Sequence, residues 1–146
     1  DVAMVGNDYG NEVNSGQYAA FTGLILVGDG TGTFSPSISR ESGFFVPGDA
    51  KALVSVPTAE GSSYLVASIN RGPLKMFEVE TPATYFMPEP MDASAKLFYA
   101  DGSVQMVEFA YGAGFLSQSG RQILIHKRVE KIEILTYTGE SRELTF

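Results

Sequence analysis

Glycine and proline interrupt this chain throughout its length. Sixteen glycines and seven prolines are scattered over 146 residues. No window of roughly a dozen residues keeps an i, i+3, i+4, i+7 apolar spacing without meeting one. Core-forming helices need that spacing uninterrupted, because proline breaks the hydrogen-bond ladder and glycine weakens it. What remains is a series of short apolar or alternating runs between turn residues. That pattern predicts an all-β chain of mostly antiparallel short strands. The best helical candidate is a single turn around Asp92–Lys96.

The runs are Val2–Val5, Gly23–Val27, Thr33–Ile38, Ala52–Val56, Tyr64–Ile69, Leu74–Val79, Lys96–Tyr99, Val104–Phe109, Gln122–His126, Ile132–Tyr137 and Arg142–Phe146. Leu24–Val27 and Leu53–Val56 are nearly continuous in branched apolar residues, which predicts central strands. Val104–Phe109 and Ile132–Tyr137 alternate, as half-buried strands do.

Turn chemistry joins these runs into hairpins. Asp101-Gly102 between two apolar runs predicts a type I′ turn, since both residues tolerate positive φ. Asp29-Gly30-Thr31-Gly32 and Thr138-Gly139-Glu140-Ser141 predict two slightly longer hairpin loops. Asn70-Arg71-Gly72-Pro73 predicts a further connection, with Pro73 free to begin a strand but not to sit inside one. Three prolines, Pro82, Pro88 and Pro90, lie between Glu80 and Pro90, and each biases its predecessor to extended backbone. The expected organisation is a sheet-rich unit over 1–80, an extended connector over 81–90 and a small β-domain over 91–146.

Charge narrows the function. Ten Lys+Arg against seventeen Asp+Glu leave a net charge of −7, whereas nucleic-acid binding calls for a basic stripe. Cysteine is absent, which removes disulfides, thiolate metal sites and thiol nucleophiles. His126 is the single histidine and reads as a strand-end surface residue. No apolar run approaches the roughly 20 residues of a membrane-spanning helix. The opening Asp1–Gly6 reads as a strand already under way, so a mature fragment or an excised C-terminal piece is expected.

A weak internal repeat is visible. Val2-Ala3-Met4-Val5-Gly6-Asn7 and Leu65-Val66-Ala67-Ser68-Ile69-Asn70 are both short strands running into Asn, each followed after a connection by another strand. Such units mark stacked or radial β-sheet architectures.

Asp1–Asn7 with Gly23–Phe34, containing Gly28-Asp29-Gly30-Thr31-Gly32, resembles a blade of the FG-GAP/VCBS-type β-propeller repeat. Gly48–Val56, Tyr64–Asn70 and Pro73–Val79 resemble the first three strands of the next blade. The stretch from Asn7 to Ala20 is similar to an insertion in long exported propeller proteins of Bacteroidetes type. Tyr111-Gly112-Ala113-Gly114-Phe115-Leu116-Ser117-Gln118-Ser119 resembles the signature of the ASPIC/UnbV domain that often follows such repeats. The resemblance implies a β-propeller segment with a small C-terminal β-domain, in the cell envelope or outside the cell. Calcium binds such propeller loops through closely spaced carboxylates, but Pro57–Ser63 carries one carboxylate, so no metal or other cofactor is expected.

Loop 7–21 carries the most chemistry. Asn7, Asp8, Asn11, Glu12 and Gln17 offer amides and carboxylates, and Tyr9 and Tyr18 offer flat apolar faces. A sugar- or peptide-binding loop presents that mixture. Tyr111, Ser117 and Gln118 form a second candidate loop. Ser117 and Ser119 fail the Gly-x-Ser-x-Gly pattern of a nucleophile elbow, and no sequence reason pairs any two carboxylates as a glycosidase does. The expectation is a non-catalytic binding or scaffolding module whose partner is a glycan or a surface protein. The alternatives are a carbohydrate-active hydrolase fragment that would use Asp8, Glu12 and Glu41, or a structural cap of the propeller. Unpaired sheet edges also predict a dimer.

Overall fold

The computed structural model describes residues 1–58, 62–79, 83–112 and 120–146. The fold is all-β: 51% of what is described is strand and 3% helix, in several small antiparallel sheets. Two compact units divide the chain, Asp1–Val56 with Ser63–Val79, and Pro57–Ser62 with Glu80–Phe146.

The first unit holds two three-stranded sheets. One is β1 (Val2–Met4), β2 (Leu24–Gly28) and β3 (Phe34–Ser37), with β2 in the middle. The other is β4 (Ala50–Pro57), β5 (Ser63–Ile69) and β6 (Lys75–Val79), with β5 in the middle. β2 is central, as its apolar run predicts. β4 is not: it takes the sheet edge, and Val54 and Val56 stay exposed. Hydrophobicity along one strand reports two apolar faces but not which neighbours pair with it.

One core joins the two sheets. Phe44, Val46, Ala50 and Ala67 are buried, and Val5, Ile25, Leu53, Leu65, Ile69 and Phe77 pack on them. The segment after β3 supplies the filling. A single helical turn, α1 (Ser39–Ser42), ends at Gly43 with φ 69°. The chain then lays the Phe44 ring 4.8 Å from that of Phe77. Gly23 allows this approach, because a Cβ there would stand 3.0 Å from the Phe44 ring.

In the second unit β8 (Asp92–Tyr99) lies between β9 (Val104–Glu108) and β11 (Val129–Thr136), and β12 (Ser141–Thr145) completes the order β12-β11-β8-β9. A separate ribbon pairs β7 (Ala83–Phe86) with β10 (Ile123–His126). Ala95, Leu97, Phe109, Ile125, Val129, Ile132 and Ile134 form the buried core between them.

Three expectations need correction here. Asp92–Lys96 is strand, not a helical turn, because Ala95 and Leu97 alternate into the core from the middle of a sheet. Within the expected extended connector, residues 83–86 are a strand that the list of runs lacks: they pair with β10, since an extended X-Pro segment is already strand-like and its ladder finds a partner. The Asp101-Gly102 turn is not type I′. Gly102 has φ 82°, but Asp101 stays at negative φ. Gly102 N–H donates to Tyr99 O at 2.9 Å and Tyr99 N–H to Ser103 O at 3.0 Å. That is a three-residue loop ending in a left-handed glycine. The Asp101 carboxylate accepts from Ser103 N–H and Oγ, which holds the negative-φ geometry. The β11–β12 hairpin closes in the same way, from Gly139 N–H to Thr136 O and from Thr136 N–H to Glu140 O.

Candidate functional site

Loop 7–21 leaves β1, returns to β2 and is pinned at both ends by one side chain. Asn7 Nδ2 donates to Phe21 O at 2.9 Å and to Gly48 O at 2.8 Å. Its Oδ1 accepts from Ala20 N–H at 2.8 Å and from Phe21 N–H at 3.4 Å. Both donors and both acceptor positions of the amide are filled. Asn7 is therefore a clasp and has no hydrogen-bonding capacity left for a ligand.

Further out, Asp8 and Tyr18 face each other as an antiparallel bridge, with N–H···O contacts of 2.9 and 2.8 Å. Asp8 Oδ1 accepts from Gly10 N–H at 3.0 Å, and Asn11 Nδ2 donates to Asp8 O at 3.3 Å. Ser15 N–H donates to Glu12 O at 2.9 Å, turning the tip. Tyr18 is 60% exposed and Val13 at the tip is 99% exposed. Tyr9, Glu12 and Gln17 also face solvent.

The loop is tied to β4 by charge. Lys51 Nζ lies 3.3 Å from Asp8 Oδ1, 2.6 Å from Asp49 Oδ1 and 3.3 Å from Asn7 O. Asp49 is only 4% exposed, and its Oδ1 is ion-paired to that ammonium. Asp49 Oδ2 accepts from Asn70 Nδ2 at 3.0 Å, and Asn70 N–H donates to Asp49 O at 2.8 Å. Lys51 and then Asn70 hold the Asp49 carboxyl below the usual carboxylate range, and Asp49 raises the Lys51 ammonium above the usual lysine value. A general acid needs the opposite displacement. From sequence alone Asp49 reads as one of several scattered carboxylates on a solvated β surface and Lys51 carries no signal, whereas Asp49 is buried, and Asn7 and Asn70, the strand-terminal asparagines of the repeat, both bond the Gly48-Asp49 dipeptide.

Tyr111, the described candidate of the second stretch, sits in a different cluster. Arg121 Nε donates to Phe109 O at 3.0 Å, Nη1 to Glu89 O at 3.1 Å, and Nη2 to Asp92 O. Its guanidinium lies 4.1 Å from the Tyr111 ring centroid and donates to the Tyr111 hydroxyl at 2.8 Å. That hydroxyl donates to Pro90 O at 2.9 Å. Beneath it, Asp92 is fully buried and takes both guanidinium nitrogens of Arg142 at 2.7 Å. Tyr111 is thus held by Arg121 and Pro90. Ser117 and Gln118 lie outside the described residues. Arg121, Asp92 and Arg142 sit far apart in sequence, so no local signal announces their cluster.

Of the carboxylates considered for hydrolysis, Asp8 is paired to Lys51, and Glu12 and Glu41 face solvent. Among the described residues no group of three or more His, Cys, Asp or Glu stands close enough to hold a metal ion, and no helix is long and apolar enough to cross a membrane. No family model, curated protein or solved structure matches the chain.

Proposed function

We propose that the chain is a non-catalytic binding module of an exported bacterial cell-envelope protein, built from an FG-GAP/VCBS-like blade segment and a divergent ASPIC/UnbV-like domain, and that loop 7–21 carries the binding surface. The observation that supports this reading is the division of labour within the loop. Its polar groups at the base are consumed internally: the Asn7 amide by four hydrogen bonds, and the Asp8 carboxylate by Gly10 and Lys51. What faces outward is Tyr18 and Val13, with Glu12 and Gln17 beside them. A glycan site would keep converging amide and carboxylate groups free for sugar hydroxyls. An exposed aromatic and an exposed aliphatic on a braced loop suit an apolar patch on a partner protein better.

Arrays of purified cell-surface proteins and of glycans, probed with the chain and with its Tyr18→Ala and Val13→Asp variants, test this. Binding to a protein that both variants lose, at unchanged Tm, is the expected result. Retention of a glycan signal that Tyr18→Ala removes would move the ligand to a sugar. Binding unaffected by either variant would overturn the assignment of the loop.

A further inference from the structure

The tip of loop 7–21 breaks a local rule. Ser15 N–H donates to Glu12 O at 2.9 Å, which closes a turn with Val13 and Asn14 at its corners. Turn corners select Gly, Pro, Asn, Asp and Ser, which supply the special φ or bond the backbone nearby. Asn14 fits that rule, and Gly16 follows with φ 71°. Val13 does not. It is β-branched and aliphatic, and 99% of it is exposed. It gains no packing within the fold in exchange for its poor fit to the turn. A residue that breaks a local rule without compensation inside the fold points to a contact outside it.

Charge around this tip is one-sided. Residues 1–39 hold Asp1, Asp8, Glu12 and Asp29 and no lysine, arginine or histidine. Among the described residues, the side-chain cation that reaches the loop is Lys51, and it is committed at the base. Its ammonium stands 2.6 Å from Asp49 Oδ1 and 3.3 Å from both Asp8 Oδ1 and Asn7 O. The Asp8 charge is thereby offset. Glu12, next to Val13, is exposed and has no ion pair among the described residues. The outward side of the loop therefore carries one uncompensated carboxylate together with an aliphatic knob and the aromatic face of Tyr18.

We propose that the partner of loop 7–21 is a protein surface with an apolar depression that takes Val13 and Tyr18, rimmed by arginine or lysine that pairs with Glu12. The inference rests on the reading of this loop as the binding surface and adds the chemistry of what it binds. Charge complementarity selects the rim. A cation beside the depression would meet Glu12 without displacing any pair the loop already makes, whereas a carboxylate there would meet Glu12 with no local cation to offset it. The same argument acts against anionic envelope polymers, such as phosphate- or uronate-bearing polysaccharides. They would face Glu12 and a chain of net charge −7. The division of roles follows: the rim pair steers encounter and rejects wrong partners, and the apolar contacts hold the complex.

The test uses an array of purified cell-surface proteins alongside spots of anionic polysaccharide, titrated with the wild-type chain and its variants at low and at molar salt. Circular dichroism verifies that each variant is folded. Signals lost in Tyr18→Ala define the loop-dependent set. Glu12→Gln is expected to weaken that set about fivefold at low salt, the size of an exposed ion pair, and to flatten its salt dependence. Glu12→Lys should weaken it further. Blocking the arrayed arginines with phenylglyoxal and the lysines by acetylation should remove it. Glu140→Gln, an exposed carboxylate in the β11–β12 hairpin, is expected to leave it unchanged. Loop-dependent signals that keep wild-type strength in Glu12→Lys, that survive blocking of the arrayed cations, or that fall on the anionic polysaccharides would overturn the basic rim while leaving the loop as the binding surface. Binding that Tyr18→Ala and Val13→Asp do not touch, or no binding to any spot, would overturn that reading and this inference with it.

Discussion

Arg142 grips Asp92 with both guanidinium nitrogens at 2.7 Å, and Asp92 is wholly buried at the first residue of β8. Asp92 Oδ2 also accepts from Glu89 N–H at 2.7 Å, and Glu89 Oε1 lies 3.2 Å from Arg142. Removing the cation alone strands a buried charge. Arg142→Met is expected to destabilise the second unit by about 3 kcal/mol, the lower end for broken buried pairs, because Arg142 itself is partly exposed. Asp92→Asn combined with Arg142→Met should recover most of that loss, since the amide keeps an acceptor for Glu89 N–H and carries no charge. Urea denaturation of the three variants measures both differences.

Asn7 makes a sharper prediction about its own chemistry. Asn7→Ala leaves the carbonyls of Phe21 and Gly48 without their donor and should cost about 2 kcal/mol, as part-buried groups lose their partners. Asn7→Asp keeps the acceptors but sets a carboxylate against those two carbonyls. Above the carboxylate pKa it is expected to be at least as damaging as Asn7→Ala, and milder on acidification. Thermal denaturation of both variants at neutral and acid pH checks the order.

The Lys51 latch on loop 7–21 should be lost at both pH extremes. Asp49 is held below its unfolded value, chiefly by Lys51, so its stabilisation is complete above the usual carboxylate range and disappears as pH falls through the depressed folded value. Lys51 is raised, chiefly by Asp49, so its contribution is complete below the usual lysine value and disappears as pH climbs through the elevated one. The loop is expected to hold between about pH 4 and about pH 10. Amide exchange at Asp8 and Tyr18 reports it, and in Lys51→Met exchange should be fast throughout that window.

Two glycines separate strain from crowding. Gly102 has φ 82° with open space where a Cβ would go, so Gly102→Ala should cost about 1 kcal/mol of backbone strain. Gly23 has φ 90°, and a Cβ there would meet the Phe44 ring at 3.0 Å. Gly23→Ala should cost more, because Phe44 must shift within the core it fills. Chemical denaturation of the two variants compares them.

How much of this was legible beforehand differs by feature. Each strand run read from the sequence coincides with a strand, because alternation and branched apolar residues act locally. β7 gives no strand signal of its own, since its four residues sit among prolines and gain strand character from pairing with β10. The apolar run of β4 predicts a central strand although it lies at an edge, and the Asp101-Gly102 pair predicts a φ at Asp101 that its own carboxylate contacts do not favour. In loop 7–21 the residue types were recognised, but not the difference between those spent on holding the loop and those left outside it. Asn7 and Tyr18 look equally available in one dimension; one has every hydrogen-bonding position filled and the other faces solvent.

Periodicity and turn residues alone determined that the chain is β, where its strands run and where its hairpins turn, because these depend on steric preferences within a few residues. Tertiary structure decided which strands pair, that Asp49 meets Lys51 and that Asp92 meets Arg142. Those outcomes depend on residues distant in sequence competing for the same partners, and only the folded chain resolves that competition.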